Sequence, residues 1–301
     1  MTQHNRIIAA VLAIAMAAAG LAACGAGNAT DAALAQQQSS APTVTKDKAA
    51  SATVSSPAIQ TNGTLKICTA FSTGNPPTYF TDAENKPVGA EVEMGEWVAH
   101  DLGLEASFVD VAFASIVPAL QAGKCDVIMS SLYIKPERAK VVDFVPYLMS
   151  GSAVAVPKGN PKKITGMDDS LCGLKISAAV GKTATLQAQQ QVEQCAKDGK
   201  PELKLVQTDQ TTAAVQQLVT GQVDAYAGET PVVLYYQQKQ QDSFEMAGKE
   251  FAPIEVGAAV NKGNSTLSDA LTASFKKLND SGDYAKILAK WNMSSLAYTK
   301  F

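Results

Sequence analysis

Of the 25 basic residues in this 301-residue chain only two, Arg6 and Arg138, are arginines. Arg6 falls in a leader-like start, so past it every basic position but one is lysine. A guanidinium offers paired planar donors that meet a carboxylate face on, whereas an ammonium acts as a point charge. A single arginine kept in a lysine background points to anion recognition at Arg138. The plainer alternative is a surface helix residue like its neighbour Lys140. Ser131 follows a strand expected at residues 126–130, at the end where open α/β sheets place ligands, and brings a hydroxyl and a backbone donor there unless it is a simple turn residue. Thr183 opens the helix after a strand at 174–178, where helix N-terminal donors face an anion, and an N-cap role is compatible with that.

These side chains need a scaffold, and the pattern from residue 64 onward supplies one. Apolar or β-branched runs at 65–69, 106–111 and 125–130 alternate with helical spacing at 91–102 and 115–121. A second series has strands at 152–156, 174–178, 203–207 and 223–227, and helices at 183–197 and 211–220. Such alternation predicts an α/β fold with a mostly parallel sheet, here as two units of similar size. Breaks at 141–151, with Pro146 and Gly151, and at 251–257, with Pro253, are where the chain crosses between them. Residues 266–291 are helical, with Leu267, Leu271, Phe275 and Leu278 on one face and Asp280-Ser281-Gly282 as a stop.

The apolar run at 7–19 behind Arg6 reads as a secretory signal and is too short to span a bilayer. Leu21-Ala22-Ala23-Cys24 resembles the lipobox of bacterial lipoproteins, which implies a signal peptide over 1–23 and acylation of Cys24. Residues 24–61 are poor in apolar side chains and read as a flexible tether. Cys68, Cys125, Cys172 and Cys195 remain, an even number in an oxidising compartment. Three pairings are open, and placement on the expected elements favours Cys172 with Cys195 and Cys68 with Cys125. With no CxxC and only His100 past the leader, no metal site is expected. A net charge of -3 without lysine clusters gives no reason to expect nucleic acid, and no cofactor is expected.

Several motifs together resemble the type II solute-binding proteins of polar amino acid ABC importers, over roughly residues 62–293. They are Gly63-Thr64-Leu65-Lys66-Ile67, Pro76-Pro77, the run Val117-Pro118-Ala119-Leu120-Gln121-Ala122-Gly123-Lys124-Cys125-Asp126-Val127-Ile128, Pro136-Glu137-Arg138-Ala139-Lys140, Val142-Asp143-Phe144 and Pro146-Tyr147. Val180-Gly181-Lys182-Thr183, Gly221-Gln222-Val223-Asp224-Ala225 and Gly282-Asp283-Tyr284 with Trp291 complete them. The resemblance implies a two-lobed periplasmic-binding-protein type II fold, each lobe a mostly parallel sheet flanked by helices, with two hinge crossings. Lobe 1 would hold 62–150 and return at 256–301, and lobe 2 would hold 151–255. It further implies a monomer, lipid-anchored on the cell membrane and facing the periplasm or cell exterior, that passes a small amino-acid-like ligand to an ABC permease.

By the same resemblance Arg138 grips the ligand's α-carboxylate, Ser131 and Thr183 add donors, Glu229 meets the ammonium, and Phe113 and Tyr133 line the pocket. Glu229 stands where the family has Asp, Tyr133 where it has a small or hydroxylic residue, and Asn75 or Thr78 where an aromatic is common. The rival readings are a cyclohexadienyl-dehydratase-like enzyme using Glu229 as general acid, and a sensor module for a membrane kinase.

Overall fold

The computed structural model describes residues 53–240 and 243–301. The expected signal peptide, Cys24 and most of the tether lie outside them. The first half carries β1 (Thr64–Thr69), a small hairpin of β2 (Phe80–Thr81) and β3 (Pro87–Val88), α1 (Ala90–Asp101), β4 (Glu105–Asp110), α2 (Ile116–Gln121), β5 (Val127–Ile128) and α3 (Pro136–Ala139). Next come β6 (Val142–Pro157), β7 (Lys175–Ala179), α4 (Thr183–Lys197), β8 (Lys204–Thr208), α5 (Thr211–Val219), β9 (Ala225–Glu229) and α6 (Thr230–Lys239). The chain closes with β10 (Phe244–Asn261), α7 (Ser265–Asp280) and α8 (Asp283–Lys290).

One eight-stranded sheet runs through the molecule in the order β4-β1-β5-β10-β6-β9-β7-β8. At one end β4, β1 and β5 are parallel, and at the other so are β9, β7 and β8. Right-handed crossovers through helices make parallel pairing possible, which is why strand and helix alternate in the sequence. The middle corrects an expectation. Residues 141–151 and 251–257 were expected to be breaks, yet almost all of them lie within β6 and β10, which pair antiparallel from Phe244 opposite Pro157 to Asn261 opposite Val142. The Pro and Gly residues that looked like breaks fall instead at irregularities, with register shifts between Ala247 and Phe251, Phe251 and Ile254, and Val256 and Gly257. Pro146 lies opposite Gly257, where a missing N–H costs the ladder least.

Two further boundaries move for local reasons. The strand expected at 125–130 shortens to β5, flanked by Asp126, whose carboxylate accepts from Gln60 N and Lys66 N, both at 2.8 Å, while its own N–H still donates to Lys66 O at 2.9 Å. Ser131 at φ 48 then turns the chain away. The tether expected to reach residue 61 ends sooner: Val54 and Ile59 are buried against Leu65, Val98 and Leu102, and Thr53 N donates to Leu102 O at 3.1 Å. Two buried aliphatic side chains were enough to draw this otherwise polar stretch onto the fold.

Leu267, Leu271, Phe275 and Leu278 of α7 join the same core as β1 and α1, so the end of the chain packs on its beginning. Beyond β6 a separate apolar cluster gathers Ile176, Ala178, Ala184, Ala188 and Leu203. Disulfides Cys68–Cys125 and Cys172–Cys195, each with Cα atoms 5.7 Å apart, staple β1 to the start of β5 and the approach to β7 to α4. On the chain-entropy model their loops are worth about 4 and about 3 kcal/mol.

Candidate functional site

Phe113 opens a 3-10 turn, Phe113–Ser115, between β4 and α2 and presents its ring to two cations. The Arg138 guanidinium carbon lies 5.8 Å from the ring centroid and Lys182 Nζ 4.5 Å from it. Arg138 belongs to α3, begun by Pro136 at a position where a fixed φ and a missing N–H suit a helix start. Lys182 is on the opposite side of the crossing strands, between β7 and α4. The ring therefore lies where the two ends of the sheet face each other.

Arg138 is half-buried and donates from Nη1 to the Tyr133 carbonyl at 3.0 Å. Among the described residues it has no carboxylate partner. Burial lowers its pKa, opposed by Glu137, and the guanidinium stays charged at any physiological pH. Lys182 is 3% exposed and donates to Asn75 Oδ1 at 3.1 Å and to Tyr79 OH at 3.0 Å. Burial acts to lower its pKa, and Tyr79, Glu229 and Glu91 more than offset that, so the ammonium keeps its proton. Contact across the gap continues at Thr211, whose N–H donates to Thr73 O at 3.0 Å and whose hydroxyl donates to Gly74 O at 2.7 Å.

Glu229 ends β9 and is the N-cap of α6, opposite Ser152 of β6. It is 4% exposed, and its charge acts on Lys182, Lys135 and Tyr133. No hydrogen bond or ion pair engages its carboxylate among the described residues. A second buried acid, Glu91 in the first turn of α1, is fully engaged: it accepts from Ser131 N at 2.8 and 3.0 Å, from Ser131 Oγ at 3.1 Å and from Tyr147 OH. Burial pushes its carboxyl up to about 7, although the bonds from Tyr147 and Ser131 pull the other way.

The structure sets Arg138 and Lys182 against the Phe113 ring and lets the charge of Glu229 act on Lys182, and it revises three expectations. Ser131 does not hold its backbone donor free, because its N–H goes to Glu91, and its hydroxyl lies between Glu91 and Thr78 Oγ1, 3.0 Å away. Thr183 is the first helical residue of α4 and Lys182 is the N-cap. Tyr133, 2% exposed, hydrogen-bonds Gly151 O at 2.8 Å and Ser150 Oγ at 3.1 Å, which fastens α3's approach to β6. Glu91 and Lys182 were not foreseen. Asn75 and Thr78, singled out as departures, turn out to link them, since Asn75 Nδ2 donates to Thr78 Oγ1 at 2.9 Å.

Residues 67–294 match the model of the bacterial extracellular solute-binding proteins, family 3. The chain belongs to this family. An arginine-binding protein of Corynebacterium glutamicum is 28% identical over 72% of this chain and 71% of its own length. The glutamine-binding protein of an ABC transporter in Bacillus subtilis is 31% identical over 67% of this chain and 72% of its own. Among solved structures, an ancestral arginine-binding protein bound to arginine superposes with a TM-score of 0.69 and 32% identity, covering 76% of this chain and 98% of that one. An ancestral amino acid-binding protein described as a precursor of cyclohexadienyl dehydratase gives 0.66 and 31%, over 76% and 95%. This solute-binding protein therefore has the two-lobed α/β fold of periplasmic amino acid-binding proteins. No helix among its described residues is long and apolar enough to cross a membrane, and none of them form a cluster that would hold a metal ion.

Proposed function

We propose that this protein captures an amino acid between its two lobes and delivers it to the permease of an ABC importer. Arg138 grips the α-carboxylate, Glu229 pairs with the ammonium, Phe113 covers the ligand backbone, and Thr183 turns the start of α4 toward the anion. The observation that carries this reading is the state of Arg138, a half-buried guanidinium whose one side-chain hydrogen bond among the described residues goes to a neutral carbonyl. Such a charge favours an incoming carboxylate, and removal of water on closure strengthens the pair.

The lobes meet within β6 and β10, near residues 150–151 and 255–256, and rotate over the ligand. Micromolar affinity needs about 8 kcal/mol net, within reach of two charge-assisted contacts in a closed site. The protein acts as a monomer outside the cytoplasm, held to the membrane by acyl chains on Cys24 once residues 1–23 are removed. The importer is supported by the family and by the B. subtilis relative.

Arg138→Lys is expected to weaken ligand binding at least tenfold, about 1.4 kcal/mol, with an unchanged circular dichroism spectrum; equal affinity removes Arg138 from the site. A thermal-shift screen of amino acids identifies the ligand, since a ligand at 100 times its Kd adds about 2.7 kcal/mol of stability. The likeness to the dehydratase precursor keeps one second reading, in which Glu229 protonates a leaving group. Prephenate that survives incubation with the protein rules it out.

A further inference from the structure

Lys182 is more than a zwitterionic ligand needs. An α-carboxylate and an α-ammonium are answered by Arg138 and Glu229, yet a second cation is buried at the same aromatic ring, 4.5 Å from the Phe113 centroid against 5.8 Å for the Arg138 carbon. The two cations are therefore no farther apart than the sum of those distances, the span of a small molecule. Lys182 is 3% exposed, and both of its acceptors, Asn75 Oδ1 and Tyr79 OH, are neutral. An ammonium has three donors, so one is left over. No carboxylate lies within ion-pair distance of it among the described residues. Of the two acids whose charge reaches it, Glu229 makes no ion pair with it and Glu91 is occupied by Ser131 and Tyr147. Glu229 and Glu91 act on it only through their charge at longer range, so an arriving carboxylate would supply the direct charge-assisted hydrogen bond that the described residues do not.

We infer that the ligand carries a second anionic group, read by Lys182, and that it is an acidic amino acid: one ammonium, two carboxylates, net charge of minus one. This rests on the reading of Arg138 and Glu229 given above. Arg138 takes the α-carboxylate from one side of the gap, and Lys182 takes the side-chain carboxylate from the other. An amide side chain in that place would leave the ammonium without a directly bonded charge partner, and a cationic side chain would be repelled.

The test uses calorimetric titration of the full chain with L-glutamate, L-aspartate, L-glutamine, L-asparagine and L-arginine. Glutamate or aspartate is expected to bind at least tenfold tighter than its own amide. Lys182→Gln is expected to reduce that ratio at least tenfold while changing amide binding much less, and Lys182→Arg is expected to keep the preference. Tighter binding of an amide or of arginine by the unaltered protein overturns the inference and leaves the amino-acid reading standing, whether or not either variant folds. A ratio unchanged in folded Lys182→Gln overturns it as well. Binding of none of the five overturns both.

Discussion

Two buried acids on either side of the crossing strands show how differently the two halves treat charge. Glu91, 1% exposed, is surrounded by donors from its own half, with Ser131 N, Ser131 Oγ and Tyr147 OH all directed at one carboxyl group. Glu229, 4% exposed, has no hydrogen-bond partner among the described residues and acts on its neighbours only through its charge. Burial alone therefore does not distinguish the two acids, and unmet hydrogen-bonding capacity does. The first acid shapes a wall, fixing Ser131 in a left-handed turn at φ 48. The second is kept available.

The largest expected effect tests that contrast directly. Glu91→Ala strands the Ser131 N–H and the Tyr147 hydroxyl in the interior, and at pH 5 should cost about 3 kcal/mol or more in urea unfolding. Glu229→Ala should change stability by less than about 1 kcal/mol and abolish ligand binding. Equal losses in the two variants would erase the distinction.

A second, comparable effect concerns pH. The Glu91 carboxyl sits at about 7 in the folded protein against an ordinary 4.5, so the folded state holds this proton more tightly. Below 4.5 both states are protonated and the contribution is complete. As pH rises from 4.5 to 7 the unfolded chain releases the proton first, and stability should fall by up to roughly 3 kcal/mol, with no further loss from this group above that window. Unfolding measured across pH 4.5–8 should show this slope, and Glu91→Gln should flatten it.

Both missed residues, Glu91 and Lys182, owe their roles to partners far away in sequence. An acid in the first turn of a helix is what the helix dipole favours in any case, so Glu91 carried no local mark. Its burial depends on Tyr147, 56 positions later. Lys182 looked like one more lysine, and only Asn75 and Tyr79, 107 and 103 positions earlier, make it special. One sign was present: it sits between Gly181, at φ 78, and Thr183, in a loop already chosen as the start of a helix facing an anion. Arg138, by contrast, stood out in the sequence because its signal was compositional, and the structure sets it against the Phe113 ring. The helix at 183–197 was read to the residue, its end fixed by the lysine and glycine that follow naturally from helix chemistry. The crossing strands were misread because proline and glycine report local backbone freedom, and a ladder of two strands a hundred residues apart can absorb them at a bulge.

The smallest expected effect sits at the contact between the two halves. Thr211→Val removes the hydroxyl bond to Gly74 O and keeps the shape, at a cost of about 1 kcal/mol. With less holding the halves together, the radius of gyration of the ligand-free protein in solution scattering should rise while its unfolding midpoint barely moves. An unchanged radius would mean that the contacts left in place, Thr211 N to Thr73 O and Lys182 to Asn75 and Tyr79, are enough to hold the halves together.

A single sheet passing through both halves limits what closure can be. The β6 and β10 ladder carries its register shifts between Ala247 and Gly257, so the proposed closure would bend along one crease and bring the facing walls back to the same alignment. Under the proposed capture every visiting solute would be met by the same pair of walls, and selection among solutes of similar size would fall to the pattern of charge those walls carry.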